Sequence, residues 1–308
     1  MMHCPDCAAA LTEAEPLGCS ACAWQGERKG GIPVYLSKRD REDPVLKEYL
    51  ENYDRICADD LEKSIQDECY VNNQAMNLAD LVSLSPDDTV CDLGVGKGYL
   101  ANALLKRGAR QLTIVDISLG YLQPLASNPQ IVPVLANAEN LPFGRTFDAV
   151  VATDILEHVM NVGSFLYSLN RSLKPGGRVY VRVPYNESLL RYSPHLGCPY
   201  RFVHLRTFDK RILRGHLEAA GFVIEKFHFD GYWFTIPHAF WAKGFLRPYI
   251  LGKIIKWAKE RVSHYTDITR WNSWLVGLFL KPVEVTVVAH KVKEIAILAD
   301  GGYQLEDC

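Results

Sequence analysis

An apolar run ending in closely spaced glycines, Val90-Cys-Asp-Leu-Gly94-Val-Gly96-Lys-Gly98, constrains this chain more than any other stretch. It describes a buried strand entering a tight turn. Glycine tolerates positive φ and lets the backbone approach a nucleotide-like ligand with no side chain in the way. A dinucleotide turn spaced G-x-G-x-x-G would put its third glycine at position 99, where this chain has Tyr99; Gly98 comes one residue early. Leu112-Thr-Ile-Val-Asp116 follows as a second apolar strand ending in a carboxylate, with the helix-compatible stretch Tyr99 to Arg107 between. A carboxylate there can accept both hydroxyls of a ribose.

Strands are expected at 89–93, 112–116, 131–135, 147–152 and 178–183, alternating with helical segments, and then at 222–227 and 283–289. Such alternation builds a parallel sheet with helices on both faces, and ligands sit beyond the carboxyl ends of its strands. The fold class is therefore α/β, a doubly wound, seven-stranded, mostly parallel Rossmann-like sheet. Ser85-Pro-Asp-Asp is a turn into the first strand, and Thr207 caps a helix that runs to Ala220 and stops at Gly221. Val45, Leu46, Tyr49, Leu50 and Tyr53 recur at helical spacing, so 45–84 reads as helical.

Four of the nine cysteines form two knuckles, Cys4-x-x-Cys7 and Cys19-x-x-Cys22. Each C-x-x-C turn presents two thiolates on one face of a tetrahedron, and two such turns close a structural zinc site. Residues 1–36 are thus expected to form a zinc ribbon. Cys57, Cys69, Cys91, Cys198 and Cys308 read as ordinary thiols. A chain of 308 residues that is 48% apolar can hold one large α/β domain plus such a module. A net charge of −2 leaves no global basic field of the kind that marks a nucleic-acid partner. The N-terminus lacks a secretory pattern, and no apolar run approaches the roughly 18 residues of a membrane span. These observations predict a cytoplasmic enzyme.

Three more segments follow in order: Asn137-Ala-Glu-Asn-Leu-Pro-Phe143, Phe147-Asp-Ala-Val-Val-Ala-Thr-Asp-Ile-Leu-Glu-His-Val159 and Leu173-Lys-Pro-Gly-Gly177. Together with the glycine turn and Asp116, this set resembles the class I S-adenosylmethionine-dependent methyltransferases, most of all the subgroup that methylates small molecules. The similarity covers roughly residues 81–227 and 283–291. It implies S-adenosylmethionine as cofactor. By motif position, Gly94, Gly96 and Gly98 line its methionine and ribose portion, and Asp92 orders the turn or reaches the donor's amino group through water. Asp116 holds the ribose hydroxyls, with Ile117 against adenine. Asn137 stands where relatives often have Asp; its amide oxygen would accept from the adenine amino group, and Ala138 would present its N–H to the ring. Thr153 approaches the donor. N-terminal helices of such enzymes fold over the cofactor as a lid, which makes Tyr53 a candidate contact or, equally, a packed helix residue.

Trp24-Gln-Gly and Gly31-Ile-Pro-Val-Tyr-Leu36 resemble the small zinc-ribbon proteins that activate tRNA and translation-factor methyltransferases as separate subunits. Fusion implies that no separate activator is needed and that the ribbon stabilises the catalytic domain or shapes its entrance. Thr153-Asp-Ile-Leu-Glu-His158 is similar to the acid-x-x-Glu-His cluster of ubiquinone-pathway O-methyltransferases, which implies a divalent metal at Asp154, Glu157 and His158. The same run also serves related enzymes as an architectural turn. His158, His195 and His204 are the candidate catalytic residues, because imidazole suits general-base work near neutral pH. Arg191, Arg201 and Arg206 are candidates for an anionic group on the acceptor, or are solvated. No Asn-Pro-Pro-Tyr-like motif follows the fourth strand, which argues against amide or adenine nitrogen acceptors.

The organisation expected is a ribbon at 1–36, a helical linker and lid at 37–84, a methyltransferase domain at 85–227 and 282–292, an aromatic-rich insertion at 228–281 and a tail at 293–308. Within the insertion, 238–280 could form a basic amphipathic helix that packs on the domain, makes a homodimer contact or lies on a membrane surface. The insertion is also placed to build a substrate cap. The function expected is methyl transfer to a small-molecule or lipid- or carrier-linked acceptor, at oxygen more than nitrogen. The alternatives are an RNA methyltransferase that grips RNA through the ribbon, and a non-catalytic cofactor-binding partner module.

Overall fold

The structure is a computed structural model that describes residues 2–11, 17–64, 68–231, 233–234, 280–297 and 303–308. In chain order the N-terminal elements are β1 (Glu27–Lys29), β2 (Ile32–Tyr35), α1 (Lys38–Glu42), α2 (Pro44–Lys63) and α3 (Glu68–Leu81). Then come β3 (Val90–Leu93), α4 (Tyr99–Lys106), β4 (Leu112–Asp116), α5 (Leu119–Leu122), β5 (Ile131–Ala136) and β6 (Phe147–Thr153). The C-terminal half has α6 (Val162–Ser172), β7 (Leu173–Pro184), α7 (Lys210–Ala219), β8 (Phe222–Asp230), β9 (Trp233–Phe234), β10 (Leu280–Lys281), β11 (Glu284–Lys291), β12 (Lys293–Ile297) and β13 (Tyr303–Asp307).

All seven expected strands lie in one sheet, in the order β5-β4-β3-β6-β7-β11-β8. β5 through β7 run parallel, and β11 is antiparallel to both β7 and β8. Both faces carry helices, so the central strand β3 is buried at every position. This is why it reads as a nearly continuous apolar run. The chain leaves β3 in one direction for β4 and later returns to its other side as β6. That reversal opens a crevice at the carboxyl ends of β3 and β6, where the site lies.

The sheet has nine strands rather than seven. The hairpin β1–β2 of the cysteine module continues the sheet, because β2 pairs in parallel with β5 through Val34–Leu135 and Tyr35–Ala136. Val34 has no exposed surface. The module therefore covers an edge of the main sheet that would otherwise present unpaired backbone groups.

Among the described residues, the segment 37–84 forms three helices, α1, α2 and α3. Asp43 caps α2, its carboxylate accepting from the Val45 N–H at 2.9 Å, with Pro44 in the first turn. The cap of α7 is Asp209, not Thr207: its carboxylate accepts from the N–H groups of Arg211 (2.7 Å) and Ile212 (2.8 Å). β8 extends to Asp230, so the first residues of the expected insertion belong to the sheet. The basic amphipathic stretch within 238–280 lies outside the described residues. The tail carries an antiparallel hairpin, β12–β13. Among the described residues no helix is long and apolar enough to cross a membrane.

Candidate functional site

A cavity of about 540 Å³ opens at the carboxyl ends of β3 to β6 and runs beneath α2. Tyr53, Gly94, Gly96, Asp116, Ile117, Asn137, Ala138, Thr153, His158 and His204 all line it. They come from positions scattered across about 150 residues of sequence, brought together by the strand order and by the packing of α2 and the loop after β7.

The glycine turn wraps the end of β4. Gly94 N–H and Val95 N–H both donate to the Val115 carbonyl, at 2.8 and 3.2 Å. Gly94 and Gly96 have φ of 79° and 49°, the left-handed region that a side chain resists. Gly96 N–H donates to Asp116 Oδ2 (3.1 Å), and Ser118 N–H donates to Asp116 Oδ1 (2.9 Å). These bonds fix the carboxylate on the cavity wall. Burial nevertheless raises its pKa to about 6, against the opposing pull of those N–H groups.

Two expected cofactor residues do not reach the cavity. Gly98 sits behind the turn as the N-cap of α4, where an added Cβ would stand 2.7 Å from both methyl carbons of Leu125. Its role in the structure is close packing. Asp92 lies one position deeper in β3 than the cavity floor, 1% exposed, with neither oxygen in a standard hydrogen bond. Burial pushes its pKa to about 7, and Asp116 adds to the shift.

Asn137 lines the cavity, but its amide is engaged elsewhere. Its Oδ1 accepts from Glu139 N–H (2.9 Å), and its Nδ2 donates to Asp40 Oδ1 (2.7 Å). The expected amide-oxygen acceptor for adenine is thus already used as a turn cap. Asp40, 4% exposed, is a partner that sequence reasoning missed. The one local signal for it is Ser37 three residues earlier, which forms a capping box with it.

Helix α2 is clasped to the loop that follows β7. Tyr53 Oη donates to the Phe202 carbonyl (3.1 Å), Arg201 N–H donates to Asn52 Oδ1 (3.0 Å), and Tyr200 Oη donates to Asp59 (2.8 Å). The same loop carries His204. Its Nδ1 contacts Glu187 Oε2, while Tyr192 Oη donates to Glu187 Oε1 (2.6 Å) and the Tyr192 ring stacks on the imidazole at 4.0 Å. His204 and Glu187 are only 13% and 12% exposed. Burial opposes ionisation of Glu187, but its bonds to His204 and Tyr192 hold its carboxyl below the usual range. His158 packs edge-on against His204, with ring centroids 4.6 Å apart, and its Nδ1 is 2.7 Å from the Val203 carbonyl. Burial and His204 lower the His158 pKa to about 4, so it is neutral at pH 7. His195 is exposed on a short turn, Pro194–Leu196, and does not line the cavity.

The expected metal set of Asp154, Glu157 and His158 does not assemble in that form. Asp154 is ion-paired with Arg182, and the groups that converge within 4.8 Å of one another are Glu157, His158 and His204. Glu157 is 1% exposed with both oxygens unbonded, and burial, with Asp154 next, raises its pKa well above the usual range. Arg182, also on the cavity wall, was legible only as the lone cation in the apolar strand Val179-Tyr-Val-Arg-Val183. Of the expected arginines, only Arg191 lines the cavity. Arg201 pairs with Glu48, and Arg206 donates to the carbonyls of Leu156, Val159 and Met160.

In the N-terminal module Cys4 Sγ and Cys22 Sγ are 3.6 Å apart and Cys7 Sγ and Cys19 Sγ 3.5 Å apart, with all four sulfurs within 4.8 Å of one another. A tetrahedral zinc with bonds of about 2.3 Å sets sulfur–sulfur edges of about 3.8 Å. The four thiols fit that ion.

A profile of the methyltransferase domain family matches residues 49–226, more than half of the chain. The mitochondrial ubiquinone biosynthesis O-methyltransferase of Dictyostelium discoideum is 29% identical over 130 residues, 37% of this chain and 40% of that protein. The demethylmenaquinone methyltransferase of Mycolicibacterium gilvum is 30% identical over 162 residues, 46% of this chain and 70% of that protein. The chain spans about two fifths of the length of the first of these relatives. In fold it resembles a chain from the complex between the Haloferax volcanii Trm112 methyltransferase activator and a putative methyltransferase. That match has a TM-score of 0.54 at 18% identity, covering 78% of this chain and 97% of the other.

Proposed function

The chain belongs to the methyltransferase domain family; on that premise we propose that it is an S-adenosylmethionine-dependent methyltransferase that methylates an oxygen of a small or lipid- or carrier-linked acceptor. Bound in the cavity, S-adenosylmethionine supplies a sulfonium methyl group for in-line displacement. Asp116 would accept the ribose hydroxyls, and the positive-φ glycines 94 and 96 would let the backbone lie against the donor. Ile117 and Ala138, which line the cavity, would flank its adenine, and Thr153 at the end of β6 would approach the donor. Tyr53 and the clasped loop also line the cavity.

One observation carries the assignment to oxygen. His204 stands on the same cavity wall with Nδ1 held by Glu187, and its Nε2 has no protein partner among the described residues. A carboxylate at Nδ1 selects the tautomer whose Nε2 is a free base. An acceptor hydroxyl must lose a proton as it attacks, and His204 Nε2 takes it. Neutral His158 props the imidazole without competing for that proton. The names of the two relatives support a small-molecule acceptor. Cys4, Cys7, Cys19 and Cys22 would hold a structural zinc.

The test uses methyl-tritiated S-adenosylmethionine and a source-cell extract separated into small-molecule, lipid, RNA and protein fractions. The expected label is in the small-molecule or lipid fraction, lost in Asp116→Ala and reduced about a hundredfold or more in His204→Asn. Label confined to RNA or protein overturns the acceptor assignment.

A further inference from the structure

The turn after β5, residues 137–143, is gripped from outside by the cysteine module, and its inner side lines the cavity. The first knuckle reaches it directly. Asn140 Nδ2 donates to the carbonyl of Pro5, the residue between Cys4 and Asp6, at 2.7 Å, and His3 N–H donates to the Pro142 carbonyl at 2.8 Å. The same knuckle sets the start of α1, where Asp6 Oδ1 accepts from the Lys38 N–H at 2.7 Å. From α1, Asp40 returns to the turn. Its Oδ1 accepts from Asn137 Nδ2, while its Oδ2 holds both Ser37 N–H (2.8 Å) and Ser37 Oγ (2.6 Å). The second knuckle acts through Trp24, two residues past Cys22. Trp24 stacks on Tyr35 at 5.8 Å and donates from Nε1 to the Leu36 carbonyl at 2.9 Å. Tyr35 is the β2 residue registered with Ala136, another residue of the cavity wall.

We propose that metal occupancy of the four-cysteine site is thermodynamically coupled to cofactor affinity, with Asn140 and Asp40 as the positioning residues that transmit it. The inference rests on the reading above that this cavity holds S-adenosylmethionine. Among the described residues, only the four thiols can tie the Cys4–Cys7 loop to the Cys19–Cys22 loop as one metal site. With zinc bound, Pro5 and Asp6 are fixed, and the turn at Asn137 and Ala138 is held in one arrangement before the cofactor arrives. Without it, those two anchors are released, and cofactor binding must order the turn itself. A hydrogen bond of this kind is worth about a three- to tenfold change in affinity. Coupling is reciprocal, so the cofactor raises zinc affinity by the same factor. Neither Asn140 nor Asp40 lines the cavity, so the effect falls on binding rather than on the chemical step.

The experiment measures S-adenosylhomocysteine binding by calorimetry on the full zinc-loaded chain, after zinc withdrawal, and after zinc is restored. Folding is followed by circular dichroism in each state. Withdrawal is expected to weaken binding about tenfold and restoration to recover it. Asn140→Ala, with one zinc per chain retained, is expected to weaken binding about three- to tenfold and to shrink the response to withdrawal. Its KM for the cofactor rises while kcat at saturating cofactor stays within about twofold. Saturating S-adenosylhomocysteine should also shift zinc transfer to a chromophoric chelator to higher chelator concentration. Equal affinity with and without zinc in a folded chain overturns the coupling, as does a zinc-loaded Asn140→Ala that binds like wild type. If withdrawal unfolds the chain, the zinc-loaded variant decides. A folded, zinc-loaded wild type that binds no S-adenosylhomocysteine overturns the reading of the cavity instead.

Discussion

Cofactor affinity should fall as pH is lowered through 6, because Asp116 must be ionised to accept two ribose hydroxyls. Burial holds its pKa at about 6, some two units above the ordinary carboxylate. The ionised form is the one that binds, so apparent affinity follows the ionised fraction. With a pKa near 6 that fraction falls from about nine-tenths at pH 7 to about one-tenth at pH 5, so binding weakens about tenfold. The sign is that of proton release on binding near pH 6. Calorimetry in buffers of different ionisation enthalpy reads that release directly. Asp54, the Gly96 and Ser118 N–H groups and buried Asp92 face Asp116, and Asp92 titrates near 7, so the two carboxylates titrate as a linked pair. Asp116→Asn separates them. It keeps the shape, should bind the cofactor about ten- to a hundredfold more weakly through lost charge-assisted bonds, and should lose the pH slope. A wild type whose affinity is flat between pH 5 and 7, or an Asn variant that keeps the slope, refutes the assignment.

Three further outcomes are expected. Glu187→Ala releases His204 Nδ1 and should lower kcat on the order of tenfold or more, with the KM for cofactor unchanged; steady-state kinetics with each substrate varied checks this. Asp92 has a native pKa raised from 3.8 to about 7 by burial, so stability from its neutral form is full below pH 3.8 and is lost as pH rises through 7. Integrated, the cost approaches about 4 kcal/mol above pH 8, an upper bound given its link to Asp116, and Asp92→Asn should flatten the fall in Tm between pH 5 and 8. EDTA treatment that leaves zinc in place should leave kcat unchanged if His204 Nε2 is a free base. A loss of activity restored by magnesium would show that Glu157, His158 and His204 hold an ion instead.

Much of the catalytic domain was legible because its signals are local. Apolar runs marked the strands, and the carboxylate at the end of β4 marked one wall of the cavity. The knuckle spacing placed four sulfurs within 4.8 Å of one another. Legibility failed where a side chain's partner is distant in sequence. Asn137 read as an adenine contact, but its amide goes to Asp40, 97 residues earlier. Asp154 read as a metal ligand through the resemblance of Thr153–His158 to another family's cluster, but the left-handed backbone at Asp154 and the charge of Arg182 on the neighbouring strand draw it away. His195 and His204 were indistinguishable along the chain. Glu187 and Tyr192 bury one of them in the wall, and the other stays in solvent.

By itself, then, the sequence determined the strand succession, the glycine turn with its carboxylate and the four-cysteine site, because periodicity, glycine φ and ligand spacing act within a few residues. Tertiary structure alone decided that the cysteine module joins the main sheet and braces the turn at Asn137. It also decided which histidine reaches the cavity and which acids lie buried deeply enough to change their protonation. Those outcomes depend on burial and on hydrogen bonds between segments that only the folded sheet brings into contact.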